Sequence, residues 1–361
     1  MNWKILTIIA VVVVVVIVVA SIGYLGFFNS SSSGKTTVTT LSESGSTLLY
    51  PVFNAWAGNY TSAKITTLAS GSGAGISAAI AGTVNMGASD AFMSNALVSA
   101  NPNMLNIPIL ISSQYVTFNL PGLNNVHLTL SGPVLVGIYN NTIQYWNAIQ
   151  IQTLNPYVNL PDSRIVPVIR SDSSGDTNMF TLFLSRSDSW WNNTVGHGTT
   201  VNWPTNPAEQ GATGNAGILS FMKSTPDTIG YIAMTYTNQI NAAGLGYAGL
   251  INSDDNVVLP SVANVTYAAD QYLNVIPADG RIAIDFAPGA SSYPIATFEY
   301  VIVKGNQTSQ ALANSLKDFL DWVVSTSGGS ASTYMSQFYL VPLPQSVVTQ
   351  VVTPLINKIT G

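Results

Sequence analysis

Three times in this chain a strand-like run passes through a short turn of Ser and Gly into a helix-like run, at Ser44-Gly-Ser-Thr47, Ser70-Gly-Ser-Gly73 and Ser173-Ser-Gly175. Strands that feed directly into helices belong to α/β layouts, in which the helices cover the faces of a sheet. The rest of the sequence keeps that alternation. Strands are expected at residues 36–41, 64–69, 85–89, 107–120, 165–169, 228–233 and 298–303. Helices are expected at 47–60, 75–82, within 134–146, at 177–184, ending at 220–224, and at 312–324. In the first helix Leu48, Val52, Phe53 and Trp56 recur at helical spacing with Pro51 in the first turns; in the last, Leu312, Leu316, Phe319, Leu320 and Val323 form an inward stripe. Residues 192–214 are polar and rich in Gly and Asn, and read as a loop insertion. Trp146, Trp190, Trp191 and Trp203 read as packing residues.

The three turns also carry chemistry. A helix N-terminus has unpaired N–H groups and about half a positive charge, which suits an anion. Glycine lets the backbone approach closely. Each turn can cap its own helix or present its donors to an oxyanion. Arg170 ends the expected strand 165–169, and the chain has only four arginines. It has two readings: an ion pair with Asp162 or Asp172, or a bidentate partner of an oxyanion. Asp90, at the end of Asn85-Met-Gly-Ala-Ser-Asp90, is either a turn residue or an acceptor facing a ligand. A carboxylate facing an anion is repulsive unless the anion brings a proton. Phosphate keeps one near neutral pH and sulfate does not, so such a group separates the two.

Composition narrows the function classes. Only 7% of the 361 residues are charged and the net charge is −5. No basic field draws in nucleic acid, and any anion must be captured locally. So few charges suit an acidic medium, where buried carboxylates are neutral. There is no cysteine and there are two histidines, His127 and His197, which removes disulfides, thiolate chemistry and a His-rich metal site. No cofactor, metal or catalytic residue is expected.

Residues 5–28 form an almost unbroken apolar run behind Lys4, long enough to span a bilayer with the N-terminal end inside. We read 1–28 as an uncleaved membrane anchor; the alternative is a signal segment cut near 18–20. Either way the remainder lies outside the cytoplasm. Six Asn-X-Ser/Thr sequons, at Asn29, Asn59, Asn140, Asn192, Asn264 and Asn306, agree with that. Residues 29–35 read as a linker; Gly34-Lys35-Thr36 is no P-loop, because position 29 is Asn.

Several stretches, in order, resemble one family. They are Gly45-Ser-Thr-Leu-Leu-Tyr-Pro51 with Trp56, Gly71-Ser-Gly-Ala-Gly-Ile76, Asn85 to Ala91, Arg170-Ser-Asp-Ser-Ser-Gly-Asp-Thr177, Thr225-Pro-Asp-Thr-Ile-Gly-Tyr231, 294–303 with Glu299-Tyr300, and Val341-Pro-Leu-Pro344. From about Thr39 to Pro344 the chain resembles the extracytoplasmic phosphate-binding proteins of phosphate ABC transporters, the Pst-type substrate-binding proteins. The resemblance implies a two-lobed periplasmic-binding-protein-like fold of type II. Lobe one would be 36–116 with 301–361 and lobe two 117–300, joined by crossovers near 116–119 and 298–303. It implies that Thr47, the N–H of Leu48, and Ser72 donate to phosphate from one lobe. Arg170, Ser174 and Gly175 would donate from the other, Asp90 would accept the phosphate proton, and Asp172 would hold Arg170. The partners implied are inorganic phosphate and the permease subunits of the transporter. Two positions depart from the family pattern: Leu48 where Phe is common, which leaves a backbone donor intact, and Asp176 where many members have Thr. The Asp176 N–H can still donate and its carboxylate can stay in the first helical turn. Alternatively Asp176 is a second acceptor, suited to the more protonated monoanion in acid.

Three rival readings have less behind them. A phosphatase or esterase lacks a Gly-x-Ser-x-Gly elbow and a catalytic setting for either histidine. A binder of sulfate, molybdate or tungstate would face Asp90 with an unprotonated anion. A structural surface protein has no need of Arg170 and three opened helix starts.

Overall fold

A computed structural model describes residues 39–361; the expected anchor at 1–28 and the linker at 29–35 lie outside the described residues. Among the described residues no helix is long and apolar enough to cross a membrane.

The first half of the chain begins with β1 (Thr40–Gly45), α1 (Tyr50–Asn59), β2 (Lys64–Thr66), α2 (Ser72–Ala81), β3 (Met86–Ser89) and the long β4 (Met104–Asn119). Further along come β5 (Val166–Arg170), α3 (Gly175–Ser187), β6 (Gln210–Ala212), α4 (Gly214–Ser224), β7 (Thr228–Ala233), β8 (Ala296–Lys304) and α5 (Gln310–Val324). The main sheet runs β2-β1-β3-β8-β4-β7-β5-β6. At one end β1 is parallel to β2 and β3; at the other β5 is parallel to β6 and β7. Both parallel sets meet the antiparallel pair β4 and β8 in the middle. This is a two-lobed α/β architecture with a half-sheet of strand–helix units on each side.

The 16 residues of β4 are almost all buried, as expected of a strand covered on both faces. Residues 104–113 of it pair with β8, and residues 114–119 pair with β7. Pro108 falls inside β4, where it removes a ladder donor. The pairing with β8 shifts register beside it, between Glu299 and Tyr300. A bulge at a proline is the ordinary outcome.

Close helix–strand packing rests on small residues. A Cβ on Gly75 in α2 would lie 2.5 Å from Ser44 O, and one on Gly87 in β3 would lie 2.4 Å from Gly75 O. Helix α1 buries Val52, Phe53 and Trp56; Trp56 donates Nε1–H to Gly329 O at 2.9 Å and meets Phe319 of α5 edge-on. In α5, Ser309 caps the start by accepting from Leu312 N–H, and Leu316, Phe319, Leu320 and Val323 are buried.

Two local expectations change. Strand β1 is described from Thr40 and runs to Gly45, four residues past the expected end at 41, because its serines find partners across the sheet; positions 36–38 lie outside the described residues. Ser42 bonds Asn85 and Ser44 Oγ bonds Ser70 Oγ at 2.7 Å. Residues 192–214 are not a bare loop. Helix Ser189–Thr194 enters the stretch, β6 forms its end, and Trp203 packs against Tyr139, Trp191 and Tyr231. Trp146 and Trp191 are fully buried, and Trp190 is exposed.

Candidate functional site

Strand β1 ends where a Cβ on Gly45 would lie 2.0 Å from Ala88 O, so only glycine lets the following turn tuck against β3. Ser46 does the capping there. Its Oγ accepts from the N–H groups of Leu48 at 3.1 Å and Leu49 at 3.0 Å. Its own hydrogen is donated to Asp90 Oδ1. Thr47 faces away from Ser46, and its Oγ1 accepts from Asn215 N–H at 3.2 Å and Nδ2–H at 2.9 Å. Leu48 O accepts from Thr235 Oγ1.

The second turn opens α2. Ser72 Oγ donates to Asp90 Oδ2 at 3.2 Å and accepts Asp90 N–H at 3.3 Å. Asp90, at the end of β3, is 1% exposed. Gly73 N–H reaches across to Ser173 O at 3.0 Å, tying the second turn to the third.

Arg170 ends β5, buried. It donates Nε–H to Asp172 Oδ1 at 2.7 Å and Nη2–H to Asp172 Oδ2 at 2.5 Å, a two-pronged pair. Its Nη1 reaches Asp176 Oδ2 at 2.6 Å. Asp172 Oδ1 also accepts Gly214 N–H at 3.0 Å, at the start of α4. Asp176, in the first turn of α3, takes a further hydrogen bond from Asn215 Nδ2 at 2.7 Å, while its Oδ1 is buried with no partner among the described residues. Ser174 caps α3 by accepting from Thr177 N–H. Tyr231 OH accepts Arg170 N–H at 3.1 Å and shares a hydrogen bond with Thr177 Oγ1 at 2.8 Å. Gly175 faces the first two turns so closely that a Cβ on it would lie 2.5 Å from Asp90 Oδ2 and 2.6 Å from Ser72 Oγ.

Thr47, Leu48, Ser72, Asp90, Arg170, Ser174, Gly175 and Asp176 therefore meet in one place, with Asp172 behind Arg170. Ser46, Asn215, Tyr231 and Glu299 belong to the same cluster and were not assigned a role from sequence. Ser46 lay inside the first turn, beside the Thr47 that was chosen. Asn215 had no signal, since the turn before α4 lacks the Ser-Gly pattern. Asn215 Oδ1 accepts from Ala233 N–H at 2.9 Å, so the side chain is fixed while its amide bridges Thr47 and Asp176.

The electrostatics are unusual for an anion site, because carboxyl groups outnumber the arginine. Burial pushes Asp172 up, but the hydrogen bonds and charge of Arg170 outweigh it and hold that carboxyl below its usual value. Burial and the neighbouring Asp90 push Asp176 up to about 7 against the pull of Arg170. Asp90 is raised by burial, opposed by the neighbouring Glu299, by hydrogen bonds from Ser46 and Ser72 and by the charge of Arg170. Glu299 is fully buried on β8 and is raised well above its ordinary value by burial and by Asp90. A cavity of about 520 Å³ opens beside Asp90 and Thr297, and Arg186, His197 and Asp285 line its far side.

The histidines serve elsewhere. His127 Nδ1 lies 3.2 Å from Tyr247 O, and His197 Nδ1 lies 3.2 Å from Asn178 Oδ1. Neither approaches a serine hydroxyl in this hydrogen-bond network. Among the described residues no three His, Asp or Glu side chains gather as a metal site.

The PBP superfamily domain matches residues 30–327. A Pasteurella multocida (strain Pm70) protein named phosphate-binding protein PstS is 32% identical over 319 residues, 88% of this chain and 90% of the relative. A protein of the same name from Methanocaldococcus jannaschii is 32% identical over 303 residues, 79% of this chain and 76% of the relative. Among solved structures, a high affinity periplasmic phosphate-binding protein bound with phosphate at pH 8.5 superposes with a TM-score of 0.65 at 20% identity, covering 90% of this chain and 99% of its own. A phosphate binding protein from Stenotrophomonas maltophilia gives 0.65 at 17% identity, covering 88% and 95%. At those identities the superpositions speak for the fold.

Proposed function

The chain belongs to the PBP superfamily and, within it, to the PstS phosphate-binding proteins; on that premise we propose how it does its work. It captures inorganic phosphate and delivers it to an ABC-type importer. The step is binding, with no bond made or broken.

The observation that carries this reading is Asp90. It is a buried carboxylate among neutral donors, beside one arginine that two other carboxylates already neutralise. An anion held there gains little from net charge and must be recognised by directed hydrogen bonds. Asp90 accepts the P–OH hydrogen. The Thr47 hydroxyl, the N–H groups of Ser72, Gly175 and Asp176, Ser174 and Arg170 donate to the phosphate oxygens, with Leu48 N–H shared between Ser46 Oγ and the phosphate, while Asp172 keeps the guanidinium oriented. An unprotonated tetrahedral anion of the same size leaves Asp90 facing an oxygen with no hydrogen between them. An unpaired buried charge of that kind costs several kcal/mol, about a thousandfold in affinity.

The lobes are 36–116 with 301–361, and 117–300, turning about 116–119 and 298–303. Support comes from β4 and β8, which run between the half-sheets there. Residues 1–28 anchor the protein outside the cytoplasm, and the permease subunits meet the rims of the closed lobes. The apolar run behind Lys4 supports the anchor.

Titrating the full chain in detergent with phosphate, and with sulfate as competitor, tests the reading. Tight phosphate binding that excess sulfate fails to displace is expected. Equal affinity for the two anions, or none for phosphate, defeats it.

A further inference from the structure

Glu299 is fully buried on β8, and neither of its carboxyl oxygens has a donor among the described hydrogen bonds. Alternation along a strand puts residues two apart on one face. Thr297, two residues before Glu299, donates Oγ1–H to Asp90 O at 3.3 Å, and Tyr300, one residue after it, pairs with Ser89. Glu299 is thereby brought against Asp90. The charged groups facing it are Asp90 itself and Asp176. The residue opposite on β4 is the apolar Leu110. Asp279 and Asp285 act on the neighbouring Tyr300, whose hydroxyl is occupied with Ile282. Arg170 is engaged by Asp172 and Asp176, so no cation is left for Glu299.

Two carboxyl groups in contact away from water cannot both ionise, so the pair retains one proton. Its position follows from the partners. Asp90 receives Ser46 Oγ–H on Oδ1 and Ser72 Oγ–H on Oδ2, and it feels Arg170; all three favour its ionised form. Glu299 has no such donors. A carboxylate offers about four lone-pair positions. Ser46, Ser72 and a protonated Glu299 fill three of them and leave one. We propose that Glu299 is a positioning acid that stays protonated and donates its hydrogen to Asp90, holding Asp90 as an ion with a single acceptor position left for the ligand. This rests on the reading that Asp90 accepts the phosphate proton. Burial and the neighbouring Asp90 push Glu299 in the required direction.

The test uses the full chain in detergent as wild type, Glu299→Gln and Glu299→Leu. Phosphate and sulfate affinities are measured across pH, and infrared difference spectra are recorded at neutral pH. Glutamine keeps a donor toward Asp90, so phosphate affinity and the preference over sulfate are retained. Leucine removes it, and Asp90 takes up the proton itself and becomes a donor. Phosphate affinity then falls about 10- to 100-fold, as for loss of one hydrogen bond to a charged group, and the preference over sulfate shrinks with it. The infrared difference between wild type and Glu299→Gln shows one carboxylic-acid C=O band lost. A leucine variant that matches wild type in both affinity and anion preference overturns the proposal. If that variant does not fold, the infrared comparison decides: loss of a carboxylate band, or no loss at all, overturns it. A wild type that binds no phosphate defeats the functional reading instead, and leaves the spectral result standing as a separate answer.

Discussion

Glu43 lies in β1, 3% exposed, with Oε2 unpartnered among the described residues. Burial pushes its carboxyl from 4.5 up to about 8, against a weaker opposing hydrogen bond from the Leu68 backbone. The native state therefore holds a proton that the unfolded chain releases above about pH 4.5. Stability from this group is complete below that value and is lost as pH rises toward 8. At pH 7 the loss is the 2.5 pH units above 4.5, at about 1.4 kcal/mol each, or about 3 kcal/mol. Glu43→Gln cannot ionise and escapes it. Urea unfolding of wild type and variant at about pH 4 and pH 7 gives two pH effects, and their difference isolates residue 43. Asp285, raised to about 8, and Glu209, raised to about 7, titrate in the same window and cancel because both proteins retain them. The variant should lose about 3 kcal/mol less than wild type between the two pH values, which is about 4 °C in melting temperature for a chain of this size. Parallel pH profiles in the two proteins would refute the reasoning, because they would mean that Glu43 ionises in the folded protein as readily as in the unfolded one.

Three further outcomes are expected. Asp90→Asn should lower phosphate affinity at least about 100-fold and bring sulfate to within about tenfold of phosphate, read by competitive titration. Asp176 is raised to about 7, and as a second acceptor it favours the more protonated phosphate. Wild type should therefore weaken more steeply than Asp176→Thr as pH rises past about 7, and superimposable affinity profiles would rule that role out. Asn215→Ala leaves Thr47 Oγ1 and Asp176 Oδ2 each short of a partner; a loss of about 1–3 kcal/mol in phosphate binding or stability is expected, measured by titration and unfolding.

How legible the sequence was depended on what kind of signal a residue left. Strand Thr228–Ala233 was readable as a short apolar run, buried on both faces, and helix Gln310–Val324 by a helical apolar period that buries one face; both signals are local. The second half of strand β1 hid behind Ser42, Glu43 and Ser44, which are polar yet half-buried or buried, and only the partners across the sheet explain how the two serines are tolerated. The Ser-Gly turns were visible as helix starts, but the division of labour between Ser46 and Thr47 was not. That depends on which hydroxyl Asp90 meets, and Asp90 is 44 residues from Ser46. Asn215 lies 168 residues from Thr47, and no spacing rule connects them. Glu299 stood in the sequence only as part of the family-like stretch 294–303, with no role attached; its meaning comes from the Asp90 it faces.

The continuity of β4 has a mechanical consequence. One 16-residue ribbon is shared by both half-sheets, and β8 is laced to it along most of its own length. Parting the halves is then a torsion of two laced ribbons, unlike the swing of a slack tether. On the proposed hinge at 116–119 and 298–303, such a ribbon would resist and spring back, and the irregular step between Glu299 and Tyr300 lies inside the second of those segments. Glu299 borders that same step, so the irregularity and the proton next to Asp90 lie within a residue of each other.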